Sequence, residues 1–284
     1  MSESSKNTTQ LTTDLIGNPS IHRLGLLITP RAIDVIIRSR FSDSGVIYRH
    51  IDFDSTLSPI AALKETVYDN PLLTAEFHAT DILINTDKFF VVSAADATPN
   101  EIERRVALLW PDEPLSVITT PLAEGSTRAA VFVAAVDKEL AGFLRRTFIN
   151  PNIASRMGVF TRYFVMKNNM GNMGNIHVHI QPGRTDIVAV SHKGLLLANT
   201  FSTNCAEDAA YYTLAVAKHL DYDMSADRIL VGGNRKLRDE LITSLRRFVQ
   251  LVMPEIMPAA LNLPSSDFNS VPFELLAAPM CLGN

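Results

Sequence analysis

Apolar residues fall into short runs whose period switches between two and about 3.6, the mark of strands alternating with helices. Two β-rich runs, 23–29 and 32–40, flank Pro30 and Arg31 at the spacing of a tight hairpin. A third, 46–53, follows the turn-like Ser42-Asp43-Ser44-Gly45. Ser58 stands where a helix N-cap belongs, Pro59 takes the first helical position, and Ile60, Leu63 and Val67 share a face. Runs 81–85 and 89–93 are apolar enough for interior strands. Thr98, Pro99 and Glu101 form a capping box ahead of Ile102, Val106 and Leu109. A strand is expected at 115–119, before the polar turn Glu124-Gly125-Ser126.

Beyond that turn, 129–136 predicts a buried strand, and Asp137 opens a helix with Leu140, Phe143, Leu144 and Phe148 on one face. The β-rich segment 158–166 is expected to be a strand, and 167–175 a hairpin loop whose Met170 and Met173 cover surface. The opening pattern then recurs as strands 176–180, 185–190 and 195–201, turned at Pro182-Gly183-Arg184 and His192-Lys193-Gly194. Asn204 with Glu207 predicts a cap for a helix through Tyr211, Leu214 and Ala217; 228–231 predicts a strand ending in Gly232-Gly233. A last amphipathic helix carries Leu237, Leu241, Leu245, Phe248 and Val252, and Pro254 stops it. The order strand, strand, strand, helix, strand, helix thus occurs twice, which predicts duplicated lobes in an α/β fold. The expected division is a loose tail at 1–22, a first lobe at 23–127, a second at 128–260, and a C-terminal tail at 261–284 whose apolar 273–278 docks back.

A chain of 284 residues can bury two medium cores without metals or disulfides. Its 46% hydrophobic and 20% charged residues are those of an ordered globular protein. Net charge is −4, and the basic groups Arg104, Arg105 and Arg235, Lys236, Arg238, Arg246, Arg247 fit solvated helix faces better than a nucleic-acid footprint. Cys205 and Cys281 match no metal spacing and are too few for a secreted disulfide scaffold. With no run of membrane-span length and no signal-peptide pattern, the expectation is a cytoplasmic protein that inserts in no membrane.

Chemistry-bearing patterns are sparse. His177 and His179 alternate along one strand and could offer two ligands to zinc or nickel, but no third ligand stands nearby, so no metal is expected. Ser126, Ser191 and Ser202 occupy no nucleophile elbow. The carboxylate pairs Asp52, Asp54 and Asp221, Asp223 suit caps and turns.

The duplicated strand and helix order, with Leu197-Ala198-Asn199-Thr200-Phe201, Asp208, Tyr211-Tyr212, Val231-Gly232-Gly233 and Pro272-Phe273-Glu274-Leu275-Leu276, resembles an uncharacterised actin-like family. That family is a domain of unknown function common in Bacteroides-type bacteria, within the ribonuclease-H-like actin, sugar kinase and Hsp70 ATPase superfamily. The resemblance implies two ribonuclease-H-like lobes and more about fold than activity. Active members of the superfamily place an acidic metal anchor and glycines in the first hairpin of each lobe, where backbone amides approach phosphate. In Ile28-Thr29-Pro30-Arg31-Ala32, Thr29 stands where the carboxylate is expected and Pro30 removes an amide donor. In the second hairpin Gly183, Thr185 and Asp186 match, but His179 replaces the acid, and Gln181 and Pro182 replace glycines. The pair Gly232, Gly233 is similar to the adenosine-side glycines and equally serves an ordinary turn.

The resulting expectation is a non-catalytic actin-like binding or scaffold protein with no cofactor, acting on a protein partner or on itself. One alternative is an ATP-binding switch or phosphotransferase built from Thr29, Arg31, Gly183, Arg184, Thr185, Asp186, Gly232 and Gly233, with Arg31 and Arg184 neutralising phosphate. A second alternative is a self-assembling structural protein.

Overall fold

The computed structural model describes residues 11–12, 15–39, 46–122, 129–168, 174–192, 194–223, 225–256 and 271–283. The expected turns at 42–45 and 124–126, Met170, Met173 and Lys193 lie outside them.

Strands β1 (His22–Ile28), β2 (Ala32–Ser39) and β3 (Ile47–Asp52) form an antiparallel meander. Helix α1 (Pro59–Asp69), capped by Ser58 and started by Pro59, returns the chain to β4 (Ala79–Ile84), parallel to β1. The chain then leaves the sheet for β5 (Phe89–Ser93), α2 (Pro99–Leu109), β6 (Leu115–Pro121), β7 (Ala130–Asp137) and α3 (Lys138–Thr147). It comes back as β8 (Asn152–Ser155), parallel to β4. The first sheet therefore has the order β3-β2-β1-β4-β8, while β5, β7 and β6 make a small antiparallel sheet of their own.

The second half starts with α4 (Arg156–Asn168) and repeats the plan: β9 (Asn175–Gln181), β10 (Gly183–Ser191), β11 (Gly194–Thr203), α5 (Ala206–His219), β12 (Arg228–Gly233), α6 (Arg235–Leu245) and β13 (Val252–Pro254). Its order, β11-β10-β9-β12-β13, matches the first sheet strand for strand. Register matches as well. Leu27 lies between Asp34 and Leu83 as His179 lies between Asp186 and Gly232, and Asp34 faces His50 as Asp186 faces Thr200. The last element is α7 (Phe273–Leu282).

Several expectations change. The boundary near 127 does not divide the sheets, because β8 completes the first one and β7 pairs only with β5 and β6. Segment 158–166 is helical, within α4. Its β-branched and aromatic residues suggested a strand, but Met157, Val159, Phe160, Thr161, Phe164 and Val165 are all buried, as in a helix wedged between layers that leave only a narrow stripe at Arg162 and Met166 open. The 1–22 stretch is not loose throughout: Leu11 is 1% exposed and its N–H donates to Asn70 Oδ1 at 2.9 Å. The docking of 273–278 takes the form of α7.

Helices α4 and α7 lie between the lobes: α4 packs on β10 and β11 on one side and on β6, β7 and β8 on the other, while α7, although it follows the second sheet, packs on β1 and β4. They meet through Phe160, Tyr163 and Phe164 against Phe273, with ring centroids 4.9–5.8 Å apart. Both lie in the largest buried cluster, which takes Leu27, Ile36 and Leu83 from one sheet and Val188 and Val190 from the other. Arg38 Nη2 donates to the Leu275 carbonyl at 3.0 Å and Arg23 Nη2 to the Gly283 carbonyl at 2.6 Å, fixing α7 along the first sheet.

Candidate functional site

Ser155 of β8 pairs with Ile84 of β4, so the next residues, Arg156 and Asn85, come level at the ends of the first sheet. Asn85 is tied to the base of the first hairpin through its N–H, which donates to the Ile28 carbonyl at 2.9 Å. Its side-chain oxygen accepts from Arg156 Nε at 2.8 Å. From there the Arg156 guanidinium reaches the second lobe. Nη1 and Nη2 grip Asp186 Oδ2 and Oδ1 at 2.6 and 2.9 Å, and Nη1 also donates to Glu274 Oε1 of α7 at 2.6 Å. Arg156 is 1% exposed, Asp186 0% and Glu274 2%, so this is a buried, bidentate ion network joining both lobes and the last helix.

Charge balances locally. Arg184 brings a second guanidinium, with Nε 3.4 Å from Asp186 Oδ2 and Nη2 3.9 Å from Glu274 Oε1. The Nε contact lacks hydrogen-bond geometry and acts through charge alone. Thr200 Oγ1 donates to Asp186 Oδ1 at 2.7 Å. Burial, the largest single effect, would raise the carboxyls of Asp186 and Glu274, but the charge of Arg156 together with that of Arg184 and the hydrogen bonds to Asp186 holds both below the usual carboxylate range. Two arginines thus face two carboxylates. His179 adds no charge, because burial lowers its pKa; its Nε2 lies 2.9 Å from Gln181 Nε2, which donates to it.

The residues expected at the hairpins are only partly brought together. Thr29 Oγ1 accepts from the N–H groups of Ala32 and Arg31 at 3.0 and 3.3 Å, closing its own turn, and Arg31 is exposed. Among the described residues the hydrogen bonds of Thr29 and Arg31 stay within the first hairpin and its neighbours and do not reach the second. Pro182 and Gly183, with φ +83° at the glycine, turn β9 into β10, and Thr185 spends its hydroxyl on Thr203 Oγ1 at 2.9 Å inside the sheet. Gly233 lies against this hairpin at φ +104°, where a Cβ would come within 2.1 Å of the Ile180 carbonyl. Gly232 sits beside Glu255. Register also corrects the comparison of hairpins: the counterpart of His179 is Leu27, and Thr29 corresponds to Gln181.

His177 has a different setting from His179. Its Nδ1 lies 2.7 Å from Glu255 Oε2, whose other oxygen accepts from Lys167 Nζ at 2.5 Å, and its ring stacks on Phe164 at 3.9 Å. Burial lowers its pKa despite the carboxylate. Among the described residues no group of three or more His, Cys, Asp or Glu could hold a metal ion. No helix among them is long and apolar enough to cross a membrane.

Residues 15–252 match the family described as "Protein of unknown function (DUF3822)". The chain belongs to the DUF3822 family. No curated protein matches it. This DUF3822 chain is similar to a solved Bacteroides thetaiotaomicron protein with actin-like ATPase fold and unknown function, at 18% identity and TM-score 0.75, covering 93% of this chain and 97% of that one. It is also similar to a chain of the PilM-PilN type IV pilus biogenesis complex, at 14% identity and TM-score 0.58, again covering 93% and 97%. The DUF3822 chain thus has the actin-like ATPase fold, with two ribonuclease-H-like lobes.

Motif reading missed Arg156, Asn85 and Glu274; Asn85 left no signal, but the two charged members did. Arg156 and Glu274 are single charges entering apolar runs, Arg156 before Met157-Gly158-Val159-Phe160 and Glu274 inside Phe273-Glu274-Leu275-Leu276. A charge in a run destined for burial calls for a partner.

Proposed function

We propose that this DUF3822 member is a non-catalytic binding or scaffold protein of the cytoplasm, which uses the actin-like fold without nucleotide. The observation that carries the reading is Arg156, a fixed cation placed between the ends of the two lobes and already neutralised by Asp186 and Glu274. Magnesium needs oxygen ligands, and the hairpin positions that would supply an acid hold Leu27 and His179. Both oxygens of Asp186 are engaged, so a metal would have to displace a bidentate arginine. Seating a triphosphate there would also bring several negative charges to a site with no surplus positive charge. Use of the fold to hold another protein is consistent with the PilM-PilN complex, in which a similar chain takes part in an assembly.

Isothermal titration of the full chain with Mg-ATP tests this. The expected result is no heat of binding at nucleotide concentrations up to about 1 mM, a ceiling that detects any association stronger than roughly 4 kcal/mol. A saturable micromolar isotherm would overturn the reading and favour the ATP-binding alternative.

A further inference from the structure

The two sheets match strand for strand, yet their outer edges differ. On the first sheet β3 is six residues long and exposes Arg49, His50 and Asp52. The short β8 has four residues and lies against β6. On the second sheet β13 has three residues and ends in Pro254. In the small sheet β5 has five residues and begins beside the Lys88–Glu113 ion pair, and β6 ends in Pro121. Charges, prolines and short length are the usual guards against strand addition. Strand β11 has none of these three; its one irregularity is a bulge at Leu196, where the register with β10 shifts, and the stretch 197–203 beyond it is regular. It is ten residues long, Gly-Leu-Leu-Leu-Ala-Asn-Thr-Phe-Ser-Thr, without a charge or a proline.

Its outer backbone groups can be assigned. Thr200 faces Asp186 across the ladder with its hydroxyl 2.7 Å from the carboxylate, and its N–H donates to the neighbouring Asn199 Oδ1 at 2.9 Å rather than to β10. Thr200 is therefore in a non-hydrogen-bonded pair, and by the two-residue alternation Ala198, Thr200 and Ser202 direct their N–H and C=O groups outward. Among the described residues no backbone partner meets them. Beside this edge Phe201 of β11 and two tyrosines of α5 form a wall of rings: Phe201 stacks on Tyr212 at 4.5 Å, and Tyr211, 68% exposed, packs edge-on to Tyr212 at 5.4 Å.

We propose that β11 is a self-association edge, pairing antiparallel with β11 of a second copy so that two second-lobe sheets become one continuous ten-stranded sheet. An edge that meets itself across a two-fold axis must carry no charge that would face its own image, and β11 satisfies this where β3 does not. Ten residues span about 34 Å, and with the adjoining helix layer the strip offers roughly 700 Å² per copy, near the ~800 Å² of a standard interface. The inference names a partner for the non-catalytic reading. It is decided by mass, whereas that reading is decided by nucleotide titration.

The test is sedimentation equilibrium of the full chain at rising concentration, combined with hydrogen exchange of the β11 amides. Expected are a dimer, slower exchange at Ala198, Thr200 and Ser202 as concentration rises, and at least roughly tenfold weaker association for Leu196→Lys with Asn199→Lys, which place like charges across the axis. An unchanged melting temperature shows that the variant folds; if it does not, the concentration dependence of wild-type exchange alone decides. A monomer at every concentration overturns the proposal, since the edge is then kept for another chain or for none. So does a dimer whose formation leaves β11 exchange unchanged.

Discussion

Replacing Arg156 by leucine isolates the interlobe network. The guanidinium is fully buried and makes four hydrogen bonds, two of them to Asp186, one to Glu274 and one to Asn85. Leucine fills part of the volume but leaves two carboxylates in the dry interior with only Thr200 and the more distant Arg184 for support. Breaking a buried ion pair from one side costs about 3–5 kcal/mol. With a urea slope of roughly 3 kcal/mol/M for a chain of this size, the unfolding midpoint should fall by about 1–1.7 M with the slope unchanged. The pH dependence gives a sharper signature. In the wild type both carboxyls are held below their ordinary range, so the stability they contribute is present above about pH 4 and is lost only as pH falls through the lower folded-state values. Without Arg156, burial raises them, and the variant's native state binds protons that the wild type refuses. The gap between the two proteins should therefore be widest at neutral pH and narrow toward pH about 4.5. Adding Asp186→Leu and Glu274→Leu should restore more than half of the loss, because an apolar cluster no longer holds unpaired charge. A gap below about 1 kcal/mol at neutral pH, or one that stays constant across this range, would refute the reasoning.

Gly233→Ala should destabilise far more than Gly183→Ala. Both glycines have positive φ, but only at position 233 would the new methyl collide with backbone, so thermal unfolding should show about 1–2 kcal/mol for Gly183→Ala and a clearly larger loss for Gly233→Ala. His50 lies 2.7 Å from Asp34 and 3.3 Å from Asp52, and although burial lowers its pKa, the hydrogen bond and charge of Asp34 and the charge of Asp52 raise it on balance. Its stabilising effect is complete below about pH 6.5 and disappears as pH rises through the higher folded-state value. His50→Gln should flatten the fall in melting temperature over that window, a modest effect for a half-exposed ring, and a proton NMR titration of His50 with an unshifted midpoint would sink the claim.

Elements with local chemistry were legible in the chain. The caps at Ser58, Thr98 and Asp137, the hairpins turned by Pro30-Arg31 and Pro182-Gly183, and the glycine pair closing β12 all occur where propensity and turn chemistry put them. Duplication was legible too, since it is a property of element order. Tertiary placement was not. Strands β5 to β7 look like continuations of the first sheet because pattern does not say which neighbour a strand takes. In α4, burial of most of the surface blurred the helical period, and its Val, Phe, Thr and Tyr content favoured a strand. The cap expected at Asn204 moved one residue on: Cys205 is the N-cap, and Asn204 donates its N–H to Asp208. At the candidate site the lost acids were visible, but the cation that takes their place comes from a helix start more than twenty residues from the hairpin it serves, and its carboxylate from α7. No local motif spans such separations.

The packing of α7 on the first sheet bears on how the protein is made. A ribosome releases the last strand of the first sheet at residue 155, but the helix that covers β1 and β4 does not emerge until residues 273–282. For more than a hundred residues of synthesis, Leu27, Ile36 and Leu83 must remain uncovered or be shielded by a chaperone. The first half of the gene, expressed alone, does not encode the helix that covers β1 and β4.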